Sequence, residues 1–286
     1  MGSTVKRIIL TGDGSKPAIA AAVSELLPWL RERVDVGVVD LAMDRELEPA
    51  EADLAVILGG DGAILSTARR LGQNQMPAIG INLGKFGFLA EVSPGEFRKH
   101  FDGIVAGQYR LSQRMMLSCA LRRGEVTLAE HLALNDVVVS RGALSRLASF
   151  ALLVDGRRAT TYNGDGVIVS TPTGSTAHSL SAGGPVLEPC LEAMVITPIC
   201  PHTLTNRPVV LHAGVEIALC AESAPIDVGL TVDGQVYEEL CQGDRIVVRR
   251  ASRTFQLIDL GLRTYYDTLR QKLHWGGSTQ YHRRGD

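Results

Sequence analysis

The sequence predicts an α/β unit followed by a β-rich, largely antiparallel one, and three observations carry that expectation. Strand-like and helix-like segments alternate from Ile8 to Phe101, the pattern of a mostly parallel sheet. Beyond Arg114 the helical spacing stops, and short apolar segments separated by turn residues take over. The chain has 286 residues and 45% apolar content, enough to fill a core in each unit. The expected division is 1–114 for the α/β unit, 115–260 for the β-rich unit, and 261–286 for a C-terminal helix and tail.

The elements follow in order. Ile8 to Leu10 reads as a strand and Ala18 to Arg33 as an Ala-rich helix, with Pro28 expected to kink it or end it early. Strands are expected at Val34 to Val39, Leu54 to Leu58 and Ala78 to Ile81, with a helix from Ala63 to Leu71 and a short one from Pro94 to Phe101. The loop Asn82 to Leu89 carries two glycines, which predict tight turns on the same face of the sheet. In the second unit the strands are Leu117 to Leu121, Leu132 to Val139, Ala148 to Val154, Val167 to Ser170, Val209 to Leu211, Val215 to Cys220, Val228 to Val232 and Ile246 to Val248. Asp155-Gly156 is a strong hairpin signal, and Asp233-Gly234 has the same form. Leu262, Tyr265, Tyr266, Leu269 and Leu273 recur at helical spacing, so an amphipathic helix should pack back on the body, with the segment from Gly276 onward frayed.

Composition excludes several function classes. The net charge is −2 and no polybasic run occurs, so neither nucleic acid nor an anionic membrane is an expected partner. No stretch of about 18 apolar residues is present to span a bilayer, and the N-terminus lacks the order of a signal peptide. Five cysteines without a C-x-x-C pair read as free thiols in a reducing compartment, and a cytoplasmic location is expected. The seven histidines form no metal-binding grouping, so no structural or catalytic zinc site is expected, and a divalent ion carried by a nucleotide is a separate matter. Gly174-Ser175-Thr176-Ala177 has the wrong spacing for a nucleophile elbow.

Three segments carry chemistry. After the apolar strand Leu54 to Leu58 comes Gly59-Gly60-Asp61-Gly62, directly before a helix. Glycines there let backbone N–H groups approach a phosphate, and the helix N-terminus favours negative charge. Asp61 would be unfavourable beside phosphates unless it binds a metal ion or takes a proton, which makes it a chemical candidate; ordinary turn chemistry is the competing reading. Gly12-Asp13-Gly14-Ser15-Lys16-Pro17 fits neither the Walker nor the dinucleotide fingerprint. Asn135-Asp136 puts two polar side chains inside an apolar segment, where they either bind a ribose or adenine or form an Asx bulge. The stretch Asn163 to Pro185 is dense in glycines and hydroxyls; it predicts a turn at Pro172 and Gly174, then a short helix near Ser175 with hydroxyls available as N-cap.

Together and in this order, Gly59-Gly60-Asp61-Gly62, Asn135-Asp136 and the run Thr171 to Pro185 resemble the NAD kinase family, and the similarity extends through Thr197 to Pro208. The resemblance implies a Rossmann-like N-terminal domain and a β-sandwich-like C-terminal domain with NAD between them. It implies transfer of the ATP γ-phosphoryl group, with Mg²⁺ or another divalent cation, to the 2′-hydroxyl of the adenosine ribose of NAD. By the same resemblance Asp61 is the general base, Gly59, Gly60 and Gly62 lie near phosphates, and Asn135 and Asp136 hold the adenosine portion. Thr176, Ala177, His178, Ser179, Leu180 and Ser181 line the NAD site, and Arg146, Asn163, Asp165 and Gln235 are further binding candidates. A homodimer or homotetramer is implied, with Cys200 and His202 as candidates for a contact across subunits. The chain departs from the pattern at His178, where the family usually has tyrosine, at Ala63, and at Asp136, where glutamate is commoner. Rival readings are a diacylglycerol or sphingosine kinase-like lipid kinase and a catalytically silent NAD(P)-binding sensor.

Overall fold

The computed structural model describes residues 4–48, 52–84, 86–142, 148–203, 205–223 and 228–274. Arg146 and the tail beyond 274 lie outside the described residues. The first unit runs β1 (Arg7–Gly12), α1 (Pro17–Arg31), β2 (Asp35–Asp40), β3 (Leu54–Leu58), α2 (Asp61–Arg70), β4 (Pro77–Ile81) and α3 (Pro94–Val105). Its strands lie parallel in the order β2-β1-β3-β4. Alternate residues of each strand face opposite sides, and both sides are covered. Ile8, Leu10, Val56 and Leu58 share one core with Ile19 and Leu30 of α1 and Phe97 and Phe101 of α3, while Ile9, Ala55 and Ile57 share another with Ile64 and Ala68 of α2. Helices on both faces are why the strand Leu54–Leu58 reads as a continuous apolar run.

Helix α1 continues past Pro28 to Arg31, contrary to the expected early end. The carbonyl that a residue-28 N–H would have engaged belongs to Ser24, and both residues are exposed, so the lost bond leaves no polar group buried without a partner. Burial of Ile19, Val23, Leu26 and Leu30 holds the helix together. Helix α3 starts on a capping box in which Ser93 and Glu96 satisfy each other's backbone N–H groups.

The second unit comprises β5 (Arg110–Arg123), β6 (Val126–Ala133), β7 (Asp136–Arg141), β8 (Ala148–Val154), β9 (Arg157–Gly164), β10 (Gly166–Ser170), α4 (His178–Ser181), β11 (Ala193–Ile199), β12 (Val209–His212), β13 (Ile217–Ser223), β14 (Val228–Val232), β15 (Val236–Leu240), β16 (Arg245–Asp259) and α5 (Tyr265–Leu273). One antiparallel sheet has the order β12-β11-β10-β7-β14-β15. It packs through Val137, Val139, Val167, Val169 and Leu230 on a second sheet contributing Leu117, Phe150, Ile217 and Leu219. That second sheet is continuous with the parallel one, because the end of β16 pairs with β4 at Gln256–Pro77 and Leu257–Ala78. The long strands β5 and β16 pair along almost their whole length, from Arg110–Asp259 to Arg122–Arg245. Position 114 therefore falls inside an unbroken strand.

Both hairpin signals hold: Asp155 and Gly156 have φ of 49° and 74°, and Asp233 and Gly234 have 51° and 65°. The expected strand Leu132 to Val139 is instead two strands, broken at Leu134-Asn135. The amides of Leu134, Asn135 and Asp136 donate to the Asp233 carboxylate rather than to a sheet neighbour. Helix α5 begins on a Thr264–Asp267 capping box and buries Thr268 and Leu269 against the body.

Phe255 is fully buried on β16 in the same core as α2, at the seam between the parallel and antiparallel parts of the sheet. Phe255→Ala is expected to cost about 3–5 kcal/mol, read as a lower urea midpoint in equilibrium unfolding.

Candidate active site

The parallel strand order fixes where a crevice must open. From β1 the chain crosses one way to β2, and from β3 the opposite way to β4, so the loops leaving the carboxyl ends of β1 and β3 diverge. A cleft of about 720 Å³ lies there, lined by Asp13 and Lys16 from the first loop, Gly59, Gly60, Gly62 and Ser66 from the second, and Asn82 and Gln235. Asp13 and Lys16 were set aside at sequence level because their loop matches no nucleotide fingerprint; strand order, rather than local sequence, brings them to the cleft.

The Gly59–Gly62 loop is built to leave backbone groups open. Gly59 has φ of 141°, a value side-chain-bearing residues rarely adopt, and a Cβ there would crowd that of Ala63 at 3.0 Å. Gly60 is the N-cap of α2 and offers no side chain, so the first-turn amides of this helix have no side-chain cap. Uncapped first-turn amides, with the helix dipole behind them, have the chemistry to accept an anion.

Asp61 is the first residue of α2, two positions before the expected start. Its carboxylate accepts from the backbone of Phe88 (2.9 Å, Oδ2) and from Leu89 and Ala90 (both 3.0 Å, Oδ1). A carboxylate has about four lone-pair sites, so one remains, on Oδ2. The loop can close this tightly only because residue 87 is glycine: a Cβ there would stand 1.9 Å from Asp61 Oδ1. Asn82 holds the same loop from inside, donating to Ala90 O and accepting from Gly84 N.

A second cleft, of about 360 Å³, is lined by Asn135, Asp136, Ala177, His178, Thr231, Asp233 and Gly234, among others. The two clefts meet at the β14–β15 turn, where Asp233 and Gly234 face one and Gln235 the other. Gln235 donates to Gly62 O (2.9 Å) and accepts from Arg69, while Arg69 also pairs with the buried Asp233 at 3.3 Å. Turn and helix α2 are thus tied together by Asp233, expected only as a hairpin residue, by Gln235, expected as a binding residue, and by Arg69 of the helix.

Most hydroxyls of the Thr171–Pro185 run serve the fold. Thr171 Oγ1 donates to Leu134 O and accepts from Gly174 N; Ser175 Oγ donates to Pro172 O and accepts from Leu187 N. Thr176 bonds to Thr173 O, and the buried Ser179 hydroxyl pairs with that of Thr197 at 2.8 Å. The N-cap residues of the Gly174–Thr176 turn and of α4, Thr173 and Ala177, make no side-chain cap bond, contrary to expectation. Gly174 lies against Asn135, where a Cβ would stand 2.1 Å from its carbonyl oxygen. Thr173 differs from these: its hydroxyl is buried and has no partner among the described residues. It lies just outside the span expected to line the NAD site.

Asn163 and Asp165 sit at the other end of β10 from Ser170, which pairs with Asp136. Asp165 accepts from Arg141 Nε at 2.7 Å, and Asn163 O accepts from His202 N at 2.9 Å. With Cys200, these residues form a group separated from Asp136 by about the length of strand β10, roughly 15 Å.

Two carboxyl groups meet in the second cleft. Burial raises the pKa of Asp233 above the ordinary carboxylate value, and its three amides and Arg69 offset only part of that rise. Asp136 is buried with no donor to its oxygens among the described residues, and burial together with the Asp233 charge lifts it from 3.8 to about 7. The folded protein therefore binds a proton that the unfolded chain releases near pH 4, and this contribution is lost as pH rises through about 7. Asp136→Asn should remove that loss. Relative to wild type, the thermal midpoint of the ligand-free variant is expected to gain about 2 °C or more between roughly pH 5 and 8; a constant difference across that range would contradict the assignment.

Comparison with known proteins identifies the family and the fold. The family profile of the ATP-NAD kinase N-terminal domain matches residues 17–109, and that of the ATP-NAD kinase C-terminal domain matches 134–260. NAD kinase from Geobacter metallireducens is 44% identical over 281 residues, covering 95% of this chain and 99% of the relative. That from Acidobacterium capsulatum is 39% identical, with the same coverage of each chain. Among solved structures, yeast NADH kinase complexed with NADH superposes with a TM-score of 0.89 at 26% identity, covering 98% of this chain and 90% of that one. An NAD kinase from Archaeoglobus fulgidus in complex with ATP gives 0.73 at 26% identity, covering 94% and 97%. With both domain profiles matched in order and relatives aligned over nearly their full length, the chain belongs to the ATP-NAD kinase family and is an ATP-dependent kinase.

Proposed function

We propose that this enzyme transfers the γ-phosphoryl group of ATP to the 2′-hydroxyl of the adenosine ribose of NAD, making NADP, with Asp61 as general base. The observation that carries the reading is the meeting of two clefts at one turn beside a carboxylate with a single open lone pair. The Gly59–Gly62 cleft takes phosphates on uncapped amides, and the Asn135–Asp136 cleft takes the adenosine portion. A ribose hydroxyl entering between them would donate to Oδ2 of Asp61, the position left by the three amides. The amides fix the carboxylate before substrate arrives, so little reorganisation is needed during transfer.

Thr176 to Ser181 shape the acceptor side through the positions of Ala177 and His178. Gln235 couples it to the phosphate loop through Gly62. Asn163 and Asp165, with Cys200 and His202, are assigned to the site of a neighbouring copy in a homodimer or homotetramer, a role consistent with their place at the end of β10 opposite Ser170 and Asp136. Among the described residues no group of three or more His, Cys, Asp or Glu forms a metal cage. This side-chain set fits a divalent cation carried by the ATP phosphates, whose chemistry is to neutralise their charge. No helix among the described residues is long and apolar enough to cross a membrane, and all five cysteines are unpaired thiols, which favours the cytoplasm.

Incubation with NAD, ATP and Mg²⁺ is expected to yield NADP; binding of NAD without turnover would overturn the proposal in favour of a silent sensor. Asp61→Asn should lower kcat by about 10² to 10⁴ while NAD affinity stays within a few-fold. Unchanged turnover would remove Asp61 from the chemistry.

A further inference from the structure

The segment that holds Asp61 is itself held from outside. Phe88, Leu89 and Ala90 donate the three amides, and one side chain far along the sequence grips both ends of that stretch. Arg263 stacks over the ring of Phe86 at 4.2 Å and donates through Nη1 to the carbonyl oxygen of Glu91. Its other terminal nitrogen donates to Glu96 Oε1 at 2.9 Å, and the second oxygen of Glu96 is occupied by the Ser93 backbone and hydroxyl in the cap of α3. Thr268 of α5 adds a hydrogen bond to Glu91 Oε1 at 2.9 Å. Arg263 follows the residues matched by the family profiles, which end at 260.

We propose that Arg263 is a positioning residue for phosphoryl transfer, acting through the 86–91 loop on the placement of the Asp61 carboxylate; this rests on the reading of Asp61 as the base. The physical warrant is an uninterrupted chain of contacts. A planar guanidinium with three fixed partners defines the distance between Phe86 and Glu91, and the amides between them define where Oδ1 and Oδ2 stand. The loop lacks regular secondary structure of its own from Phe86 to Ala90, so side-chain anchors set its geometry. A general base is sensitive to such displacement, since a shift of about 1 Å can cost roughly 10²-fold in rate. Arg263 contacts neither the phosphate loop nor the second cleft, so its loss should leave substrate binding intact.

The test is a double-mutant cycle with the full chain, reading kcat and both KM values. Arg263→Met, which keeps the stem and removes the fork, should lower kcat about ten-fold with KM for NAD and ATP within about two-fold. In an Asp61→Asn background the same substitution should cause no further loss, because the carboxylate it positions is gone. If Arg263→Met does not fold, Phe86→Leu carries the same cycle with only the stacked ring removed. Full turnover in a folded Arg263→Met, or an equal loss in the Asp61→Asn background, would overturn the inference while leaving Asp61 as base untouched. Wild-type turnover in Asp61→Asn alone would overturn the base and this inference together.

Discussion

The site depends first on one buried carboxylate, that of Asp233. A strand edge of three consecutive amides, Leu134 to Asp136, has no sheet partner at the point where β6 ends and β7 begins, and Asp233 supplies it. Buried amides left without an acceptor would each cost on the order of 1–3 kcal/mol, so the break in the strand is possible only with this cap. The same carboxylate takes Arg69 from α2, whose first turn carries Asp61. One anion therefore fixes where Asn135 and Asp136 leave the sheet and how far the phosphate loop stands from them. Its charge also has a cost for its neighbour: Asp136, buried without a donor, holds its proton up to about pH 7. A carboxyl that is neutral when the cleft is empty can donate to a ligand hydroxyl as well as accept from one.

The glycines near Asp61 have separate physical tasks. Gly59 supplies a backbone angle, Gly60 leaves a helix end uncapped, and Gly87 supplies space for the carboxylate itself. Only the first two belong to the sequence motif. The third lies 26 positions after Asp61 and is recognisable only once the loop is folded over it, because a glycine in a loop otherwise reads as turn chemistry.

Much of the fold was legible because local rules and tertiary needs agreed. The α/β alternation, the two Asp-Gly hairpins and the amphipathic helix α5 all follow from spacing and turn residues. Reading failed where a distant side chain intervened. Pro28 reads as a kink or an early end, yet α1 runs on to Arg31, held by the buried Ile19, Val23, Leu26 and Leu30. Leu132 to Val139 looked like one strand because its composition cannot reveal that Asp233 competes for its amides. Asp233 in turn looked like an ordinary turn residue, since nothing beside it in sequence records the burial or the Arg69 partner. The motifs located both clefts, but Asp13, Lys16 and Thr173 entered only through topology and burial.

The dense hydroxyl run is the most specific stretch of the sequence, and its composition has a structural cause. Between Ser170 and Gly184 the chain leaves a sheet, makes a tight turn and a one-turn helix, and stays buried for much of that path. Irregular backbone that is shielded from water must find its hydrogen bonds in side chains. Threonine and serine are the smallest residues that both donate and accept, and Thr171, Ser175 and Thr176 each bond backbone groups of this stretch or of Leu134. Glycines 174 and 184 then let the turn close on Asn135 and Ser179, at distances no Cβ would tolerate. A run dense in hydroxyls can thus have a structural cause: most of them hold irregular buried backbone in place beside the second cleft.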